Sequence, residues 1–201
     1  MASAPPSQLN PVEVALPNGS LVALRPLVPA DRDQLAEGFQ RLSAQSRYRR
    51  FMTPTSRLTV RELTYFSELD HRDHFAWGAQ VVTENGLDGA GVARYVRLPD
   101  DPAAADTAFT VLDEYQGRGL GQVMFLAPAI AGRANNVQRL HFDVLASNTP
   151  MLKMLETFGV STDSQSQGIT HGELDVLPFV AGLDSWPPTA ALTELATAAR
   201  R

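Results

Sequence analysis

The chain of 201 residues contains no cysteine, which excludes disulfides, a thiolate nucleophile and any zinc site with cysteine ligands. Charged residues make up only 19% of the sequence, below the usual quarter. The net charge of −5 argues against a general nucleic-acid-binding protein, because such proteins carry a basic surface. With 44% hydrophobic residues, a chain of this length is expected to form one domain with a substantial core.

Long apolar runs are also missing, since no segment approaches the ~20 apolar residues that a membrane span needs. Residues 1–7 lack the charged and apolar regions of a secretory signal. We therefore expect no membrane partner and a cytoplasmic location. The closest approach to a metal motif is His71 with His74, but these flank a predicted helix end, and no metal ligand is assigned.

The most specific pattern present is a glycine-rich turn between a predicted strand and a predicted helix. Gln116, Gly119 and Gly121 have the spacing Gln-x-x-Gly-x-Gly. Such a turn exposes backbone N–H groups at a helix N-terminus, where a pyrophosphate such as that of coenzyme A can bind. The spacing matches neither the dinucleotide fingerprint nor the Walker loop. The alternative is a plain strand-to-helix turn whose glycines only permit tight packing.

The order of the predicted elements indicates an α/β (α+β) domain with a mixed sheet and helices on its faces. Residues 1–11 are predicted to be a loose tail, residues 12–180 a single domain, and residues 181–201 an extension with a short helix. The predicted strands are 12–16, 21–24, 75–83, 90–98, 106–112, 140–145, 160–162 and 169–176. The predicted helices are 31–43, 43–51, 59–70, 119–135, 149–158 and a final one after residue 188.

The chain resembles the GNAT superfamily of N-acetyltransferases over about residues 20–178. The resemblance rests on Leu24–Arg32, Tyr115–Gly121 and Asp143–Leu155. It implies a mostly antiparallel central sheet in which one pair of parallel strands splays apart to hold acetyl-CoA. Residues 35–51 and 91–97 further resemble the catalytic domain of bacterial protein-lysine acetyltransferases. In those enzymes the domain is often fused to a nucleotide-binding or ligase-like module, for which we expect this chain to be too short.

The resemblance assigns roles residue by residue. Asp106 takes the place of a glutamate that acts as general base, one methylene shorter; the alternative is a strand-end aspartate that satisfies a loop. A base is needed because a free lysine is neutral only about once in 2,500 molecules at pH 7. Asn148 would contact the pantetheine arm, cap a helix, or both. The residues implied in binding acetyl-CoA are Val111 and Leu112 (backbone N–H), Gln116, Gly117, Arg118, Gly119, Leu120, Gly121 and Asn148.

The sequence departs from the family at Leu155, where many members carry a tyrosine that protonates the leaving thiolate. Pro128 within the long helix is expected to kink it. The arginine run Arg47, Arg49 and Arg50 could line the acceptor groove or touch the cofactor's 3′-phosphate. The interpretation we favour is a solvated face partly paired with acids such as Glu37.

Together these features predict an enzyme that moves an acetyl group from acetyl-CoA to a primary amine by direct transfer in a ternary complex. A protein lysine is the first choice of acceptor and a small amine the second. A non-catalytic acyl-CoA-binding module is the alternative from another class, because the missing tyrosine and the shortened carboxylate both permit it. The exposed face of the C-terminal helix could serve a homodimer or cover the sheet edge.

Overall fold

A computed structural model of the chain describes residues 10–84, 86–163 and 168–200. The start of the predicted tail, at residues 1–9, and Asn85 between two predicted strands lie outside these ranges. The strands are β1 (Val12–Ala15), β2 (Leu21–Pro26), β3 (His74–Thr83), β4 (Gly86–Arg97), β5 (Ala104–Val111), β6 (Arg139–Leu145), β7 (Ser161–Thr162) and β8 (Ile169–Asp175). The α-helices are α1 (Arg32–Arg41), α2 (Ala44–Phe51), α3 (Val60–Ser67), α4 (Leu120–Ala134), α5 (Thr149–Thr157), α6 (Val176–Ala181) and α7 (Pro188–Ala199).

The described strands form one eight-stranded sheet in the order β1-β2-β3-β4-β5-β6-β8-β7. Every neighbouring pair is antiparallel except β5 and β6, which are parallel. A register shift in the β3–β4 pair, between Ala79 and Gln80, marks a bulge in the middle of the sheet. The predicted fold class is therefore confirmed, including its single parallel pair.

The main core lies between the sheet and α4, α6 and α7. Trp77 and Phe75 are fully buried there, and the Trp77 indole N–H donates to the Ala127 carbonyl at 2.9 Å. Helix α4 is almost entirely apolar and continues through Pro128. Leu192 and Ala196 of α7 join the same core. The apolar stripe of the C-terminal helix is thus buried within the chain.

A smaller core lies on the opposite face of the sheet, beneath α1, α2 and α3. It is centred on Phe39, Leu42 and Leu112. Helix α3 begins with a capping box, in which the Thr59 hydroxyl accepts from the Glu62 N–H and the Glu62 carboxylate accepts from the Thr59 N–H. No helix in the described part of the chain has the length and apolar character that a membrane span requires.

One short helix was not predicted. The final strand was expected to reach Val176, but β8 ends at Asp175 and α6 follows directly. The prediction failed because α6 has only six residues and contains Pro178, so it has too little helical periodicity to recognise.

Candidate active site

The parallel strands β5 and β6 separate shortly after they meet. They pair only at Ala104 with Arg139, Ala105 with Leu140 and Asp106 with His141. Beyond Asp106 the two strands enclose a space of about 280 Å³, which we call the splay cleft. Its walls include residues 107–111 of β5, residues 142–144 of β6, the glycine turn and the start of α5. Unpaired backbone groups of β5 therefore face an open cavity.

The end of β5 distinguishes between the Val111 N–H and the Leu112 N–H, the two backbone donors that the sequence implied. The Leu112 N–H already donates to the Ala90 carbonyl of β4 at 2.8 Å. Because the N–H groups of successive strand residues point to opposite edges, the Val111 N–H points away from β4, toward the cleft. The Val111 carbonyl accepts from the Gln116 amide at 3.0 Å, which ties the glycine turn to the strand end. Val111 is thus the better placed donor.

The glycine turn lies at the mouth of the splay cleft. Gly117 and Gly121 both line it, together with Gln116. Gly117 has φ of +72°, and a Cβ added there would meet no atom within 4 Å, so backbone conformation alone requires glycine. At Gly121 an added Cβ would lie 3.4 Å from the Met154 side chain across the cleft. Helix α4 begins at Leu120, so its N-terminal N–H groups and positive dipole end lie at the turn.

The other residues of the turn lie outside the cleft lining. Gly119 has φ of +92°, and an added Cβ would lie 2.5 Å from Pro17 in the β1–β2 loop. This glycine is thus fixed by packing within the chain. Arg118 is exposed, and its guanidinium lies 5.6 Å from the centre of the Tyr115 ring. Leu120 is fully buried in the main core.

The far wall of the cleft comes from α5. Asn148 lines the cleft at the N-cap position, and its side chain makes no capping hydrogen bond. Its amide is therefore available to a ligand. Leu155 is fully buried in the core. Neither Tyr115 nor Tyr95 offers a free hydroxyl in place of the missing tyrosine: the Tyr115 hydroxyl donates to Asp88 at 2.5 Å, and the Tyr95 hydroxyl donates to the Arg72 carbonyl at 2.9 Å.

Asp106 occupies the last paired position before the strands separate, opposite Val96 of β4 and His141 of β6. Its carboxylate is on the sheet face that carries α1–α3, because Phe109 and Val111 face the main core. Partial burial raises its pKa above the ordinary value for aspartate, the negative charge of Asp143 raises it further, and His141 opposes both. A raised pKa favours a carboxylate that accepts a proton.

A second cavity of about 280 Å³ lies between α1–α3 and the sheet, and we call it the arginine cavity. Arg25, Arg41, Arg50 and Arg94 all line it. Arg50 and Thr110 line both this cavity and the splay cleft, so the two spaces meet at β5. The two cavities are therefore neighbours, with the Arg50 and Thr110 side chains between them.

The arginine run of α2 does not form the solvated face that we favoured. Arg47 donates to the Ser56 carbonyl, Arg49 lines the splay cleft, and Arg50 points between the two cavities. Within the described ranges, no ion pair joins Glu37 to any of them. Arg49 points away from the other two because consecutive helical residues are about 100° apart around the axis, whereas Arg47 and Arg50 lie on neighbouring faces.

Two residues near the site were not singled out from the sequence. Asp143 lines the splay cleft, and its carboxylate accepts a hydrogen bond from the His171 Nδ1–H at 2.7 Å. Arg94 is 6% exposed in the middle of β4. The available signal for Arg94 was a single charge within the otherwise apolar stretch Val92–Val96, which is unusual for a strand buried on both faces.

Comparison with known proteins gives consistent relatives. Residues 22–161 match the family model described as the acetyltransferase (GNAT) domain. The chain is 34% identical over 174 residues to acetyltransferase Pat of Mycolicibacterium smegmatis, a match that covers 85% of this chain and 50% of that protein. It is 27% identical over 137 residues to acetyltransferase PA5475 of Pseudomonas aeruginosa, covering 68% of this chain and 73% of that protein.

Solved structures give the same result. The GNAT domain of S. lividans PAT superposes with a TM-score of 0.75 at 27% identity, covering 82% of this chain and 96% of that domain. A cAMP-binding acyltransferase from Mycobacterium smegmatis superposes with a TM-score of 0.67 at 28% identity, covering 95% of this chain and 55% of that protein. The chain thus spans about half the length of Pat and of this acyltransferase.

Proposed function

Since the chain belongs to the GNAT acetyltransferase family, we propose that it transfers an acetyl group from acetyl-CoA to a primary amine, with a protein lysine as the acceptor. The observation that carries this proposal is the splay cleft, which runs from the glycine turn to a meeting point with a second cavity at Arg50 and Thr110. The likeness of residues 35–51 and 91–97 to protein-lysine acetyltransferases supports the choice of lysine.

Acetyl-CoA would lie along the splay cleft. Its pyrophosphate would accept hydrogen bonds from the backbone of the glycine turn at the start of α4, where the helix dipole favours negative charge. The Asn148 amide would bind the pantetheine arm. The acetyl group would then reach the unpaired backbone of β5, next to the arginine cavity.

Asp106 would accept the proton of the acceptor amine, directly or through water. The amine nitrogen attacks the thioester carbonyl, the carbon–sulfur bond breaks, and coenzyme A leaves as a thiolate. The Val111 N–H would stabilise the oxyanion that develops on the carbonyl oxygen, an effect of about 3 kcal/mol in other enzymes. Because Leu155 supplies no proton, the thiolate would take one from water.

The first experiment is a calorimetric titration with acetyl-CoA, followed by thiol release in the presence of a pool of lysine peptides. Binding with release supports the transferase. The absence of binding would overturn the assignment of the splay cleft and the proposed function with it. Free polyamines and amino acids form the second acceptor panel, and release with these alone would make a small amine the acceptor.

The Asp106→Ala variant distinguishes an enzyme from an acyl-CoA sensor. If Asp106 is the base, turnover should fall by about 10²–10⁴-fold while acetyl-CoA affinity changes little. The Asp106→Glu variant restores a carboxylate and should recover most of the turnover. Equal turnover in the wild type and the alanine variant would remove Asp106 from the mechanism.

A further inference from the structure

The four arginines of the arginine cavity fall into two classes. Arg25 makes two hydrogen bonds with Asp31, at 2.7 and 2.6 Å. Arg41 makes two with Asp88, at 2.8 and 2.7 Å, and a further contact with Glu114. These two guanidinium groups are neutralised within the chain. The other two, Arg50 and Arg94, are not.

Among the residues that the structure describes, Arg94 contacts only neutral groups. Its Nη1 lies 2.9 Å from the His74 Nε2, and its Nη2 donates to the Phe66 carbonyl at 3.4 Å. Its guanidinium also lies 4.4 Å from the centre of the Phe66 ring. Burial and the nearby Arg94 lower the pKa of His74 to about 4, so the ring is an uncharged acceptor near neutral pH. The charge of Arg94 is therefore not compensated.

Arg50 lies at the junction of the two cavities and is half-buried, whereas Arg94 is buried. Its guanidinium lies 5.0 Å from the centre of the Phe51 ring, and among the described residues it has no carboxylate partner. Burial lowers the pKa of Arg50 to about 10 and that of Arg94 to about 9, and the charge of Arg50 further lowers the latter. Both remain protonated near pH 7. Two cations thus share one cavity and repel each other.

This arrangement is costly for the folded chain. A buried charge without a counter-ion is strongly destabilising, and buried arginines are normally paired. The three acids that line the cavity do not supply the counter-ion: Asp31 and Asp88 bind other arginines, and Glu37 is exposed. An anionic ligand would neutralise Arg50 and Arg94 where the chain does not.

We propose that Arg50 and Arg94 bind a carboxylate carried by the acceptor, so that the enzyme selects amines with a nearby acidic group. This proposal rests on the proposed function and names the acceptor class for it. A carboxylate fits because guanidinium groups bind it in a bidentate geometry. The rest of the cavity wall is largely apolar, and includes Leu27, Phe39, Leu42, Phe51, Leu58 and Phe66, as suits the short aliphatic stem of such a group.

The position of Arg94 relative to Asp106 supports the assignment of a carboxylate-binding site. In the β4–β5 register Arg94 lies opposite Ala108, and Val96 lies opposite Asp106. Arg94 and Asp106 are therefore diagonal neighbours on one face of the sheet, with backbones roughly 7–8 Å apart. An acceptor whose carboxylate binds Arg94 would thus hold an amine close to the proposed base.

Binding can be tested without any turnover. Calorimetric and thermal-shift titrations with hexanoate, hexanamide and inorganic phosphate compare a carboxylate, its neutral isostere and a simple anion. We expect hexanoate to bind at least about tenfold more tightly than hexanamide, because only the carboxylate neutralises the arginines. Equal binding of hexanoate and hexanamide, or a preference for phosphate over hexanoate, would overturn the proposal.

Variants locate the site. Arg94→Gln and Arg50→Gln should each abolish the preference for hexanoate, whereas Arg57→Gln removes an exposed loop arginine and should retain it. Because an unpaired buried charge is removed, Arg94→Gln should melt at or above the wild-type temperature. If both variants fold and keep the preference, the proposal is wrong. If Arg94→Gln fails to fold, Arg50→Gln still decides the question.

Transfer assays identify the source of the carboxylate. Lysine peptides with glutamate or glutamine next to the lysine test an acidic side chain, and free lysine against lysine amide tests a small acceptor. We expect one acid-bearing member to have at least about tenfold higher kcat/KM than its neutral counterpart. Equal rates within both pairs would overturn the proposal. No transfer at all, with the hexanoate preference intact, would count against the proposed function alone.

Discussion

The splay cleft and the arginine cavity have equal volumes and meet at β5, yet they present positive charge in different ways. The cleft offers backbone N–H groups and the N-terminus of α4, which attract an anion as partial charges. The cavity offers two complete, unneutralised guanidinium charges, Arg50 and Arg94. Gln116 and Gly117 of the turn are exposed, whereas Arg50 is half-buried and Arg94 is buried.

This difference indicates which kind of substitution should affect ligand binding in the splay cleft and which should affect it in the arginine cavity. A site made of backbone donors depends on the shape of the turn and on a free path for the ligand, so it is sensitive to a single added side chain. A site made of buried charges depends on which partners neutralise them, so it is sensitive to charge changes that leave the shape intact. The predictions below test each side with the change to which it should respond most.

The largest effect is expected in the cleft from Gly121→Glu. The new carboxylate would fill the gap to Met154 and repel the pyrophosphate, so we expect acetyl-CoA affinity to fall at least about a hundredfold. The matched control is Gln122→Glu, which adds the same charge one residue later at an exposed position outside the cleft lining. Calorimetry on both variants measures the difference, and equal affinities would mean that acetyl-CoA binds elsewhere.

In the arginine cavity, Asp31→Asn should remove the counter-ion of Arg25 and leave its charge unneutralised, as it is for Arg50 and Arg94. Asp31 is 4% exposed and also accepts from the Val28 N–H, so we expect a loss of about 2 kcal/mol in unfolding free energy. Asp33→Asn, at an exposed position on α1, is the control and should change stability little. Urea denaturation measures both. If the two variants are equally stable, the Arg25–Asp31 pair does not have the structural role assigned here.

The sequence was sufficient for features that depend on local pattern. The hairpin around Pro17–Ser20, the capping box of α3 and the strand–turn–helix at the glycines could each be identified from neighbouring residues. The long-range contacts that require those residues could not be identified in this way. Gly119 packs against Pro17, about a hundred positions earlier, and no local pattern shows that contact.

The arginine cavity was beyond sequence reasoning for the same reason. Arg50 belongs to a run whose other members point elsewhere, and Arg94 is on a strand more than forty residues later. Whether an arginine is neutralised depends on carboxylates that other elements bring to it, as Asp88 of β4 is brought to Arg41 of α1. That pairing exists only once the sheet has formed.

The pKa of Asp106, which lies at the start of the splay cleft and diagonal to Arg94 of the arginine cavity, can be tested through Asp143→Asn. Asp143 raises the pKa of Asp106, so its neutralisation should lower that pKa and move the acid limb of kcat/KM to lower pH, since the base must be deprotonated to act. His141→Gln should move the limb the other way, because His141 lowers the same pKa. Profiles of both variants across the acidic range check the two directions. Shifts of the same sign would mean that Asp106 does not set the limb.

The smallest effect should come from the neutral partner of Arg94. The pKa of His74 is about 4 in the folded chain, against 6.5 for a histidine in the unfolded chain. Between those two pH values the unfolded state therefore binds more protons than the folded state. The stability that depends on neutral His74 is complete above pH 6.5 and is lost as pH falls toward 4. Because the side chain is partly exposed, we expect a loss on the order of 1 kcal/mol.

The His74→Gln variant tests this last prediction, because glutamine keeps an acceptor for Arg94 but cannot become charged. Urea denaturation at neutral pH and near pH 5 should show a smaller loss of unfolding free energy for this variant than for the wild type. His71, whose pKa burial also lowers, contributes in the same direction and leaves part of the slope. An unchanged slope would mean that protonation beside Arg94 carries no cost, and that Arg94 is less isolated from counter-charge than its contacts indicate.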